Sequence, residues 1–165
     1  MMRQMNYLVD GNNVMHAVGE VWKDVGRVGL CRLLGTFIDV TGDSVCLVLD
    51  GSPPPHGVEL QMAHPHLRVL YGLDRSADEV LEELIRHEPT PSRLIVVSTD
   101  HVIRQAARHR RCAWQSSQEF AAELIRVVES SRLPAPPPAE PDEKRTGLSP
   151  EQTEQWLREL GVDED

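Results

Sequence analysis

The chain has 165 residues, of which 26 are acidic and 17 basic, for a net charge of −9, and only 4% of its side chains are aromatic. That length suits one domain with a short appendage and excludes a multidomain machine. So few aromatics argue against a nucleic-acid surface built on base stacking.

Tyr7-Leu8-Val9 is a short apolar run that stops at Asp10-Gly11-Asn12-Asn13, read as a turn. Val28, Leu30, Cys31, Leu33, Leu34, Phe37 and Ile38 then recur at helical spacing. Ser44–Leu49 is a continuous apolar strand that ends at Asp50-Gly51, and Gly51–Pro65 is a Pro-rich loop. Leu67–Tyr71 forms a third strand. Ser76-Ala77-Asp78-Glu79 is a capping-box pattern that opens a helix with Val80, Leu81, Leu84 and Ile85 on one face. Leu94–Val97 is a fourth strand, stopping at Ser98-Thr99-Asp100, and Val102, Ile103, Ala106 and Ala107 mark the next helix. Cys112-Ala113-Trp114 makes a weak fifth strand, and Ser116-Ser117-Gln118-Glu119 opens a last helix bearing Phe120, Leu124, Val127 and Val128.

Strands that are apolar throughout are buried on both faces. Alternating with helices, they predict a three-layer α/β domain with a central parallel sheet over residues 1–132. Pro134–Pro141 lies in a stiff linker at 133–148. Residues 149–165 form an acidic tail with one short helix, started by Ser149-Pro150-Glu151 and carrying Trp156, Leu157 and Leu160. Alone it is too short to be stable; it either docks on the core or serves as a peptide for a protein or ribonucleoprotein partner. Residues 133–165 carry −6 of the net charge and residues 1–132 only −3, so the overall acidity does not exclude a polyanionic ligand.

No apolar run reaches transmembrane length, and Asp10 arrives too early for a signal-peptide apolar region. A soluble, cytoplasmic protein is expected. Cys31, Cys46 and Cys112 include no CxxC pair, which argues against structural zinc and for buried free thiols in a reducing compartment.

In such sheets ligands bind beyond the carboxyl ends of the strands. Three strands end at Asp10, Asp50 and Asp100, and Asp78 opens the helix after another. Each alone has a structural explanation, as a turn residue, a cap or a complement to a helix dipole. Gathered on one edge, they repel one another unless a cation or proton is shared. Oxygen-only ligands suit Mg²⁺ or Mn²⁺, which can activate water and neutralise a phosphate.

Leu8-Val9-Asp10-Gly11-Asn12-Asn13-Val14 resembles the opening motif of NYN domains, in the PIN-like nuclease superfamily. Val48-Leu49-Asp50-Gly51, Ser76–Glu79 and Val97-Ser98-Thr99-Asp100 follow in that family's order, and Trp114–Phe120 resembles the last strand-to-helix step of the YacP-like branch. The resemblance covers residues 6–130 and implies a parallel sheet of order 3-2-1-4-5 and Mg²⁺- or Mn²⁺-dependent RNA cleavage; an endoribonuclease is expected, with the choice between endo- and exonucleolytic mode left open by the sequence. It implies Asp10, Asp78 and Asp100 as the main metal-site and catalytic carboxylates, Asn13 as a supporting polar group and Asp50 as a weaker carboxylate. Arg110-Arg111-Cys112-Ala113 departs from it, standing where a Gly-Ala turn is usual.

His101, Arg104, Arg108 and Arg111 cluster after Asp100, with Arg104 and Arg108 on one helix face. They form a candidate phosphate rail for RNA, which Arg75 and Arg68 would extend. His56, His64 and His66 have irregular spacing with no acid beside them, and are read as part of a loop flanking the substrate. Trp22 and Trp114 are read as packing residues.

A haloacid-dehalogenase-type phosphatase needs an Asp where Asn12 stands, and a Rossmann nucleotide site needs more than the lone Gly11. The remaining alternatives are a catalytically silent RNA-binding or adaptor module of the same fold, or a PIN-like toxin.

Overall fold

The chain forms a five-stranded, wholly parallel sheet, here in a computed structural model that describes residues 4–132. In chain order the elements are β1 (Asn6–Asp10), α1 (Gly11–Gly19), α2 (Gly26–Thr41), β2 (Ser44–Leu49), α3 (His56–Met62), β3 (Leu67–Tyr71), α4 (Ala77–Arg86), β4 (Leu94–Val97), α5 (His101–His109), β5 (Ala113–Gln115) and α6 (Ser117–Arg132). The spatial order is β3-β2-β1-β4-β5, as the motifs imply. The linker and the short helix expected after residue 132 lie outside the described residues. Among those residues no helix is long and apolar enough to cross a membrane.

Alternating side chains divide the sheet into two apolar faces. Tyr7, Val9, Leu47 and Leu49 pack with Val14, Leu30, Leu34, Phe37, Phe120 and Leu124 on the side of α1, α2 and α6. Leu8, Val48 and Val96 pack with Leu81, Ile85, Ile103 and Ala107 on the side of α4 and α5. Tyr7, Phe37 and Phe120 form a three-ring cluster on the first face, each pair of centroids 5.4 Å apart. Such pairs contribute about 0.5–1.5 kcal/mol each beyond their buried area.

Two expectations are corrected. Residues 10–13 are not a free turn: α1 begins at Gly11 directly after β1, capped by Asp10. A Cβ at Gly11 would lie 2.8 Å from the Val48 carbonyl oxygen, so only glycine lets the helix start this close to β2. The Pro-rich loop also contains α3, seven residues that bury little but Met62, too short for a periodic apolar signal. Cys31 and Cys112 are buried and Cys46 partly so, all three as free thiols.

Candidate active site

The carboxyl ends of the strands collect the acidic residues. Asp10 is 2% exposed. Its Oδ1 accepts the Asn13 amide at 3.4 Å and its Oδ2 accepts the Ser98 hydroxyl at 3.1 Å. Burial pushes its carboxyl up to about 6 from an ordinary value of 3.8. The two hydrogen bonds oppose that rise, and the charges of Asp78 and Asp50 add to it.

Asp78 is the second residue of α4, whose cap is Ser76 accepting the Glu79 amide at 3.2 Å. Its carboxyl is also raised, first by burial and then by Asp100, Asp50 and Glu82. Asp100 caps α5, with Oδ1 accepting the amides of Val102 at 2.8 Å and Ile103 at 3.3 Å. Asp50, just beyond β2, accepts the Ala77 amide on Oδ1 at 2.7 Å and the Asn12 side-chain amide on Oδ2. Asn13 uses its Oδ1 to accept the Thr99 amide at 3.1 Å and the Ser117 hydroxyl at 3.5 Å. The Asn13 Nδ2 group is then the donor left for a ligand.

Asp10, Asp50, Asp78 and Asp100 thus share one edge. Asp78 feels both Asp100 and Asp50, and Asp10 feels both Asp78 and Asp50. None of the ion pairs among the described residues involves any of the four. An all-oxygen set of carboxylates, met by hydrogen-bond donors but by no ion pair among the described residues, fits a hard divalent cation in its chemistry. Among the described residues no three His, Cys, Asp or Glu side chains stand close enough to form a ligand cluster by themselves.

Sequence reasoning undervalued Ser98. Its fully buried hydroxyl donates to Asp10 and accepts the Asp100 amide at 3.0 Å. The buried Ser117 and the partly buried Arg27 were missed as well. Arg27 donates to the Asp50 carbonyl at 2.7 Å and to the Ser52 carbonyl at 3.2 Å. A polar residue just past an apolar strand is a signal that could have promoted Ser98; Arg27 carries none in sequence.

The basic residues separate by what they touch. His101, Arg104 and Arg108 lie exposed on α5. The Arg104 guanidinium sits over the Trp114 ring, 4.2 Å from its centroid, so Trp114 is a stacking platform as well as a packing residue. Arg111 is exposed just after α5 with φ +60°, a left-handed conformation at the place where a Gly-Ala turn is usual. Arg110 is structural, donating to the Ile85 and Glu88 carbonyls at the end of α4. Arg75 is held by Glu83 at 2.6 Å and Glu79 at 3.7 Å, which blunts it as a phosphate contact. Arg68 lies beside Leu84 and Glu88, toward the far end of α4 from Asp78. His64 does have an acidic partner: its Nε2 meets Asp39 Oδ1 at 2.8 Å, and its Nδ1 accepts the His66 amide at 3.1 Å. Both ring nitrogens are therefore occupied.

A parallel sheet in this order, with carboxylates at its carboxyl edge, is the arrangement that the PIN-like resemblance implies. The chain belongs to the YacP-like NYN domain family, which it matches over residues 7–159. That span continues past residue 130, where the recognisable motifs stop. The fold is similar to that of Rae1 (YacP) from Bacillus subtilis, with a TM-score of 0.58 and 20% identity over 97% of this chain and 88% of that one. A tryptophan-to-leucine mutant of the same Bacillus subtilis protein gives a TM-score of 0.56 and 20% identity over 77% and 79% of the two chains. No curated protein matches the chain.

Proposed function

We propose that this protein is a Mg²⁺- or Mn²⁺-dependent ribonuclease that cleaves RNA endonucleolytically. The observation that carries the reading is the four-carboxylate edge, which has no ion-pair partner among the described residues and is built around the buried Asp10. Membership of a nuclease family supports it.

Asp10, Asp78 and Asp100 are the residues that would hold the cation, directly or through water, with Asp50 at their margin. When bound, the cation lowers the pKa of a water and offsets charge on the scissile phosphate. The chain's own residues do the positioning. Ser98 fixes one oxygen of Asp10 and the backbone of Asp100 together. Asn13 ties α1 to the Thr99 amide and to Ser117 at the start of α6. His101, Arg104, Arg108 and Arg111 would hold RNA phosphates along α5, and Arg75 would contribute only on releasing its glutamates. No covalent nucleophile is required.

The deciding experiment incubates a partly structured RNA pool with Mn²⁺, Mg²⁺ or EDTA, wild type beside Asp10→Asn. Metal-dependent cleavage that disappears in the variant is expected. RNA binding without cleavage by the wild type would replace the enzyme with an RNA-binding module of the same fold.

A further inference from the structure

We propose that Arg27 is a positioning residue that sets Asp78, acting through the Asp50–Ser52 turn rather than on RNA. The proposal rests on the functional reading above only in taking Asp78 as part of the working site.

Arg27 stands in the first turn of α2 and is partly buried. Its two terminal nitrogens reach the Asp50 and Ser52 carbonyls, one on each side of Gly51. Gly51 has φ +87°, a left-handed conformation that glycine adopts without steric cost. The guanidinium closes a fork over that turn, and its carbon lies 5.8 Å from the centre of the Tyr71 ring at the end of β3.

The far side of the turn carries the β3–α4 loop. The Gly51 carbonyl accepts the Leu73 amide at 2.8 Å, and the Leu49 carbonyl accepts the Gly72 amide at 2.9 Å. Asp50 Oδ1 accepts the amide of Ala77, the first residue of α4 and the neighbour of Asp78. Leu73 is held at φ +59° and is 63% exposed, so neither its own preference nor side-chain packing fixes it there; within the loop the Arg75 amide closes onto the Gly72 carbonyl at 3.0 Å. The loop's link to the end of β2 runs through the turn that Arg27 closes.

Asp50 takes a defined place in this chain of contacts. Both of its oxygens already accept protein donors, Ala77 on one and Asn12 on the other. It joins α1 to α4 at the margin of the other carboxylates. Lysine cannot reproduce Arg27, because one ammonium does not span two carbonyls as a planar fork does.

The test compares Arg27→Ala and Arg27→Lys with the wild type. In metal-free protein, amide exchange at Leu73 and Ala77 should quicken about tenfold in Arg27→Ala, the loss of one ordinary hydrogen bond's worth of protection. It should quicken less in Arg27→Lys, with the β1 and β4 amides unchanged in both. In RNA cleavage, kcat should fall while KM stays within about twofold, the pattern of a lost transition-state arrangement. Unchanged exchange at Leu73 and Ala77 would overturn the proposal. So would a rise in KM alone, which would make Arg27 an RNA contact. A wild type that cleaves nothing would remove the ribonuclease reading, while the exchange data would still decide whether Arg27 holds α4.

Discussion

Ser98 and Asp10 share a buried hydrogen bond of 3.1 Å, with the serine hydroxyl as donor and a residue separation of 88. The bond favours the charged form of a carboxyl that burial disfavours. Ser98→Ala should therefore raise the Asp10 pKa above its present value of about 6. The acidic limb of the cleavage pH profile should move to higher pH with it. An unchanged limb would mean that Asp10 does not set it.

Asp10→Asn should abolish cleavage and yet stabilise the metal-free fold at neutral pH. The folded carboxyl titrates near 6 and the ordinary one near 3.8, so between those values the folded state binds more proton than the unfolded. Stability then falls as pH rises from about 4 to 6, by something on the order of 2–3 kcal/mol. The asparagine variant lacks this loss. Urea unfolding in EDTA should show it more stable than wild type at pH 7 and equal to it below pH 4. A wild type whose stability is flat across that range would contradict the burial effect.

Divalent metal should stabilise the wild type in proportion to site occupancy. At about one hundred times the dissociation constant the gain is about 2.7 kcal/mol. The shift in melting temperature with Mn²⁺ should be largest at pH 7, smaller at pH 5 where Asp10 takes a proton, and absent in Asp10→Asn. An equal shift in the variant would place the cation elsewhere.

Arg111→Gly should separate stability from RNA binding. The Cys112 amide bonds the Ala107 carbonyl at 2.9 Å and the Arg111 amide bonds the Arg108 carbonyl at 3.0 Å, the double closure of a helix end that prefers glycine at position 111. With Arg111 at φ +60°, glycine should add about 1 kcal/mol, or about 2–4 °C in melting temperature. RNA affinity should drop. Unchanged affinity would remove Arg111 from the interface.

Arg104→Ala with Arg108→Ala should weaken RNA binding most at low salt and flatten its salt dependence. Filter binding across a salt series measures this. A parallel line with the wild-type slope would leave α5 as surface alone.

The sheet and its acidic edge were legible because their signals are local. Each buried strand is an unbroken apolar run that ends at Asp10, Asp50 or Ser98-Thr99-Asp100, and the Ser76 cap lies three residues from its partner. What escaped reading joins residues far apart in the chain, with no period linking them: Arg27 to Ser52, Asp39 to His64, Arg110 to Ile85. The pairing of Arg75 with Glu79 and Glu83 was within reach, since those residues stand one and two helical turns further on. α3 escaped because seven residues with one buried side chain offer no pattern.

The central place of β1 has a consequence for synthesis on the ribosome. The first strand made must wait for β2 on one side and for β4, residues 94–97, on the other. Such distant pairing is slow and comes late. Until β4 docks, Asp10 lacks its serine partner and Asp78 lacks Asp100. A growing chain that has emerged only as far as α4 holds just part of its acidic edge, and the proposed activity is withheld until nearly the whole domain has left the tunnel.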